Sequence, residues 1–334
     1  MEETRGTDFV KPSVLDCFEA FLVLVIASFG FLINIASFLV MVRGDSFKNS
    51  FGYITAYQAF CRASILLIFA VWATPWTLFP IPENINGLNS FFGQLSLFFE
   101  EIAFHCCLLL STNRFIAIGF PMKYRIWFTN SATLGYLIFI TAYASLYWGI
   151  YFVDSCDFRF SHDSRVWEFG PEPCSVYLSI YVDMVYNLCL FALVAIIDLI
   201  TMVHLKKLHR EFFFRNNEAG TANTREKRET LLFVQAFLTS CLYIFMLLCF
   251  HLISPLVSRC WAFLYFLCTT FVWEMSHTLG GVIPICFNPE IRRHLVAAGG
   301  FFGFLKSSVA AGHKSPVATV SSLKPEPVGT IHVC

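Results

Sequence analysis

The sequence predicts an all-α membrane protein, a bundle of seven transmembrane helices with its amino terminus outside and a short interfacial helix after the seventh. Three observations predict it. Apolar stretches long enough to cross a bilayer recur seven times along the chain. Positive charge gathers in alternate loops. An arginine, Arg114, ends the third stretch where apolar chain meets a short basic loop.

Composition agrees with this class. Hydrophobic residues make up 57% of the chain and charged residues only 14%, with 39 Phe, far from soluble usage. Acidic and basic residues balance at 23 each, so no global charge points to nucleic acid or an acidic substrate. The stretches lack the short alternating pattern of a barrel, which leaves helices as the way to satisfy the backbone in lipid.

The first stretch, Phe18–Val42, is too long for a cleavable signal core and follows no basic region, so it is expected to act as its own insertion signal. The second, Phe51–Phe79, carries Arg62 about 16 Å from its inner end. The third, Phe91–Phe120, holds Glu101 and His105 on one face, about 20 Å above Arg114. The fourth is Ala132–Val153. The fifth, Val176–Val203, repeats the four-residue spacing with Asp183 and Asn187 in its outer half. The sixth is Thr230–Ile253. The seventh, Cys260–Phe287, contains Trp273, Glu274 and His277, and is weakened near its inner end by Gly280, Gly281 and Pro284.

Lys and Arg set the orientation. One side holds Arg43, Lys48, Lys123, Arg125, Lys206, Lys207, Arg210 and Arg228, with Arg292 and Arg293 after the seventh stretch. The other holds Arg5, Lys11, Arg159, Arg165 and Arg259. The richer side is expected to be cytoplasmic, with the amino terminus outside and the carboxyl terminus inside. The chain then divides into an outer segment 1–16, a membrane domain 17–287, an interfacial helix 288–306 and a disordered cytoplasmic tail 307–334. Asn288-Pro289-Glu290 reads as a helix start, with a capping side chain, Pro at the first position and an acid in the first turn.

Ionisable groups in lipid are costly and therefore candidate functional residues. Glu101, His105, Asp183, Asn187 and Trp273 are candidates to line an outer pocket, with Phe98, Tyr151, Trp167 and Tyr186 around them. Interhelical hydrogen bonding without any ligand explains each of them equally well. Arg62 and Glu274 are expected to pair as an intramembrane switch, with snorkelling of Arg62 into a wet cavity as the alternative. In the loop before the fifth stretch, Cys156 and Cys174 face an oxidising compartment and are expected to form a disulfide, Cys260 being the other outer partner on offer.

Enzyme signatures are missing. There is no His-Glu-x-x-His, no phosphate loop, no Gly-x-Ser-x-Gly elbow and no His-x-x-x-His pair, so neither catalysis, cofactor nor metal is expected. Asp183 and Asp198 lie about 22 Å apart on one helix, too far for an aspartyl dyad.

Several motifs together resemble a known family. These are Gly30-Phe-Leu-Ile-Asn34, Asn113-Arg114-Phe115 followed by Phe120-Pro-Met-Lys-Tyr-Arg125, Phe128-Thr129, the Cys156…Trp167…Cys174 loop, Gln235, and Phe287-Asn-Pro-Glu-Ile-Arg292. The chain resembles the nematode serpentine chemoreceptors of class x (Srx), over roughly residues 29–293. The resemblance implies a G-protein-coupled receptor of the plasma membrane, often in ciliated sensory neurons. It would take a small external ligand and engage a heterotrimeric G protein through Asn113, Arg114, Phe115 and the basic Lys206, Lys207 and Arg228. Against the wider rhodopsin-like pattern, Asn113 replaces the acid before Arg114, the second helix lacks its Asp, Pro255 falls at the end of the sixth helix, and Ile283-Pro-Ile-Cys-Phe-Asn-Pro289 lacks a tyrosine. A channel or transporter, or a receptor-like protein that never signals, are the other classes; no internal repeat supports the first.

Overall fold

Backbone groups in hydrocarbon must find partners within their own segment, and the apolar runs accordingly close into helices. The computed structural model describes residues 12–153, 156–216 and 219–297, with side chains left undescribed at 209, 211–229, 296 and 297. The long helices are α1 (Val14–Arg43), α2 (Ser50–Leu78), α3 (Glu83–Gly119), α4 (Asn130–Ile150), α5 (Pro173–Leu208, continuing to Asn216) and α6 (Thr230–Val257, reached by helical chain from Ala219). These 6 are long and apolar enough to cross a membrane on their own. The seventh helical run, α7, covers 262–287 and carries the polar residues Glu274, Ser276 and His277. Segments 1–11 and 298–334, and with them the tail and the end of the expected interfacial helix, lie outside the described residues, as does the side chain of Arg228.

Local signals fix the helix starts. The Ser13 hydroxyl accepts from the Asp16 amide at 3.2 Å while the Asp16 carboxylate accepts from the Ser13 amide at 2.8 Å, a reciprocal capping box. Asn49 and Thr129 cap α2 and α4 by the one-way bond, each side-chain oxygen accepting from the amide three residues on. After α7, Asn288 accepts from the Glu290 amide at 3.0 Å and opens α8 (Pro289–Ala297). Ile291 and Leu295 of α8 bury against Val40 and Met41 at the carboxyl-terminal end of α1 and Phe47 just after it, whereas Arg292 and Arg293 are exposed.

The all-helical expectation needs one addition. The loop between α4 and α5 folds into a hairpin of β1 (Phe158–Ser161) and β2 (Val166–Phe169), antiparallel, with Phe158 opposite Phe169 and Phe160 opposite Trp167. Its strands are four residues long, too short for their alternation to stand out in a chain this rich in Phe. A disulfide joins Cys156 to Cys174, with Cα atoms 5.0 Å apart, and closes the base of the hairpin. Closing a loop of this length stabilises by about 3 kcal/mol through the unfolded state.

The hairpin reaches down into the bundle. Phe158, Phe160, Val166 and Trp167 are wholly buried. Asn89 of α3 holds them: its Oδ1 accepts from the Trp72 indole at 2.9 Å and from the Phe160 amide at 3.2 Å, and its Nδ2 donates to the Phe160 carbonyl at 2.8 Å. Gly93, one turn on, has no alternative residue. A Cβ there would run into the Phe158 carbonyl oxygen.

Small residues let α1 and α7 approach closely. Asn34 donates to the Gly30 carbonyl at 2.9 Å and to the His277 carbonyl at 3.3 Å, and a Cβ on Gly281 would stand 2.5 Å from the Asn34 amide nitrogen.

The expected Arg62–Glu274 pair is not formed. Arg62 is 2% exposed and donates from Nε to the Tyr243 hydroxyl at 2.9 Å and from Nη1 to the Gly280 carbonyl at 2.6 Å. The reason is a proline. Pro284 has no amide hydrogen, so the carbonyl four residues before it, Gly280, lacks its helical donor. Arg62 supplies that donor from the neighbouring helix. Gly280 is what admits it, since a Cβ at this position would lie 2.9 Å from Arg62 Nε. Glu274 is fully buried and sits beside the Ala27 backbone of α1, away from Arg62.

Loss of this donor has a measurable signature. Arg62→Met should lower the stability of the protein by about 1–3 kcal/mol, the cost of a buried acceptor left alone. Pro284→Ala, which restores an amide donor to Gly280, should recover part of that loss. In thermal melts of the purified single and double variants, Arg62→Met and Pro284→Ala should be non-additive, while Arg62→Met and Glu274→Gln should add.

Candidate functional site

Two polar centres stand at opposite ends of the bundle. The one at the basic end is built on Arg114, which α3 carries five residues before its end at Gly119. Its Nη2 meets the Asp198 carboxylate of α5 at 3.4 Å and the Ser111 hydroxyl at 3.3 Å, and its Nη1 donates to the Leu232 carbonyl of α6 at 3.2 Å. One guanidinium therefore ties α3 to α5 and α6. The acid that the sequence lacks at Asn113 comes instead from α5. Asp198 is 2% exposed, so the pair is largely desolvated, and removing either partner would leave the other charge uncompensated.

The other inner residues separate. Asn113 is buried with its amide nitrogen unpartnered, and Phe115 packs its ring on Phe120 with centroids 5.9 Å apart. Lys206 and Lys207 are exposed at the inner end of α5. Above the latch a small polar cavity of about 30 Å³, lined by Gln58, Arg62, Arg114, Gln235 and Ser240, has room for about two waters.

In the outer centre, Glu101 and His105 of α3 and Asp183 and Asn187 of α5 are brought near each other, but they do not converge on one space. The Asn187 amide donates to Glu101 at 3.5 Å. His105 donates from Nδ1 to the Glu101 carbonyl at 2.8 Å, which leaves Nε2 to accept from the Tyr186 hydroxyl at 2.7 Å. Asp183 turns the other way, to His251 of α6, with Nε2 at 2.7 Å from its Oδ2. Phe98, expected beside the pocket, packs toward α4 against Trp148. Tyr151 bonds Tyr147 at 2.7 Å within the core.

Glu100 is the residue that sequence reasoning missed. Trp273 donates its indole hydrogen to Glu100 at 2.8 Å, and His277 Nε2 stands 3.6 Å from the same oxygen. Adjacent acids on a helix point about 100° apart, so a doublet inside lipid signals two different partners. Glu101 faces α5 and Glu100 faces α7. Asp198 and His251 were also visible as polar residues in apolar stretches, and only their partners were hidden.

Little room remains at the centre. The cavity between Leu97, Glu100, Phe158, Asp183, Phe250 and Trp273 measures about 10 Å³, barely one water. Phe158 and Trp167 from the hairpin fill the space, with their rings 5.7 Å and 6.2 Å from that of Trp273. A much larger cavity, about 560 Å³, lies to the side between α5 and α6 beneath β2.

The comparisons with known proteins follow the same lines. The fold superposes on squid rhodopsin with a TM-score of 0.70 over 95% of this chain and 97% of that one, at 11% identity, which shows a shared fold alone. In Caenorhabditis elegans, "Serpentine receptor class X 45" is 27% identical over 301 residues, 85% of this chain and 82% of its own length. "Serpentine receptor class X-43" is 25% identical over 306 residues, covering 88% of each. Residues 24–288 match the family described as serpentine type 7TM GPCR chemoreceptor Srx, which spans the helices, the hairpin and both polar centres; the chain belongs to that family.

Proposed function

We propose that this multi-pass membrane protein is a chemosensory G-protein-coupled receptor, with its amino terminus outside and its Arg114 end facing the cytoplasm. The observation that carries the reading is the Arg114 latch. A single half-buried guanidinium bonded to Asp198 and to the Leu232 carbonyl holds α3, α5 and α6 together at one end. A G protein would enter there once the latch releases, meeting Arg114, Phe115 and the exposed Lys206 and Lys207, with Asn113 beneath them and Arg228 on the adjoining chain.

Ligand binding would act on the outer network of Glu101, His105, Asp183, Asn187 and Trp273, with Glu100 added from the geometry. A ligand shifts such a bundle only through unequal affinity for its two states. Hydrogen bonds crossing from α3 to α5, and from α5 to α6, are what such a difference would be built on. The proposed location is the plasma membrane, with the sensory cilium as the site of use.

Asp198→Asn removes the charge that holds the latch. A charge-assisted bond contributes about 1.5–3 kcal/mol, so basal nucleotide exchange on a co-expressed heterotrimer should rise about tenfold or more. Arg114→Ala should abolish exchange while surface level persists. Unchanged exchange in both variants would reject the coupling role. Orientation has its own check: an antibody to an amino-terminal tag should bind intact cells, and one to a carboxyl-terminal tag should bind only after permeabilisation.

A further inference from the structure

We infer that the cavity between α5 and α6 binds a lipid-partitioned amphipathic molecule, an apolar chain carrying a hydroxyl or amine head, which enters sideways from the outer leaflet. The inference rests on the receptor reading above and names the class of ligand.

Volume is the first ground. The centre of the bundle offers about 10 Å³, whereas the lateral cavity offers about 560 Å³, within the range of small-molecule sites. Position is the second. Ser179 and His251 each stand 6 residues, about 9 Å, below the outer ends of α5 and α6, so the cavity lies at outer-leaflet depth. Val176, Ile180 and Leu252 in its wall are 42%, 41% and 50% exposed, which opens it through the gap between the two helices toward lipid.

The backbone supplies an independent observation. Four helices depart from α geometry into wider π turns, at Phe69–Ala73, Leu178–Tyr186, Cys249–Ile253 and Leu267–Phe271. The last three place residues in this one cavity: Ser179 and Met184, His251 and Leu252, and Thr269. Turns of this kind recur at functional sites, because they displace side chains that a regular helix would stack.

Hydrogen-bond accounting identifies the head group. Ser254 spends its hydroxyl hydrogen on the Phe250 carbonyl and Thr269 spends its own on the Tyr265 carbonyl. His251 Nε2 donates to Asp183, and its Nδ1 pairs with the Ser179 hydroxyl at 3.3 Å. Glu168 at the roof accepts from Ser164 at 3.1 Å. Trp167, whose indole nitrogen has no partner, and the Tyr265 hydroxyl add donors, so the wall suits a head that can give a hydrogen and also accept one. A hydroxyl does both and an amine can donate to Glu168, whereas a carboxylate would be set against the Glu168 carboxylate in the same wall. Asp183 also borders the central cavity, so occupancy here acts on the outer network through the His251–Asp183 bond.

Photolabelling tests this in the full-length receptor in lipid nanodiscs. A diazirine-bearing decanol should label Met184, Ile180 or Leu252, and unlabelled decanol or decylamine should displace it while decane and decanoate do not. Ser179→Trp, which fills the cavity, should reduce labelling about tenfold. As a second variant less demanding on folding, Ser254→Ala should weaken displacement by decanol. Labelling that is not displaced, that decane or decanoate displaces equally, that maps to Trp273 or Leu97, or that survives Ser179→Trp overturns the inference. Because the readout needs no G protein, a receptor that binds here yet drives no nucleotide exchange would overturn the coupling role and leave the cleft intact.

Discussion

The carbonyl that Pro284 leaves without a donor is the constraint around which the inner bundle is arranged. In water such a group would be hydrated at little cost. In hydrocarbon it must be answered by protein, and the answer here is a charged side chain from another helix. Arg62 crosses from α2 to the Gly280 carbonyl on α7 and reaches the Tyr243 hydroxyl on α6 with the same guanidinium. The Arg62 position is thereby explained without an acidic partner. A charge at mid-membrane is retained because it satisfies a backbone defect and ties three helices, one of them interrupted by its own proline.

Arg114 does the same work nearer the end of the bundle, for α3, α5 and α6. Both arginines border one small polar cavity with Gln58, Gln235 and Ser240. This half thus adds directional polar contacts, few in number and breakable one at a time, to the apolar packing of Val40, Met41, Phe47, Ile291 and Leu295. The outer half is held differently. There the disulfide-closed hairpin inserts Phe158, Phe160 and Trp167 among the helices, and aromatic packing occupies the centre. A plugged centre with a cavity at its flank places the variable space of the molecule at the α5–α6 boundary, the same boundary that Arg114 spans from below.

Much of this was legible in the sequence, and the failures are instructive. The membrane helices were legible because length and hydrophobicity alone decide them. The donor relation between Arg62 and Pro284 was legible in part, since Gly280 lies four residues before the proline. Recognising it required treating a carbonyl as a partner, and the carboxylate of Glu274 was the more conspicuous candidate. Asp198 stands about as far from Lys206 as Arg114 stands from Lys123, so their equal depth could be read along the chain. Their contact needed the packing of α3 on α5. Glu100 was hidden by its neighbour, because the four-residue spacing of Glu101 and His105 drew the eye to one face. The hairpin was not legible at all: a four-residue strand in a chain with 39 Phe gives no distinct alternation.

The most direct test of the latch at Arg114 is a distance across the inner end of the bundle. Spin labels carried on unnatural residues at Met122 and Thr230, both exposed, would report the separation of the short helix Pro121–Trp127, which follows α3, from the start of α6 in nanodiscs. Wild-type receptor should show one short population, and Asp198→Asn should add a longer one that grows when the heterotrimer binds. A single distance, the same in both proteins and unmoved by the G protein, would contradict the view that this guanidinium holds the receptor closed.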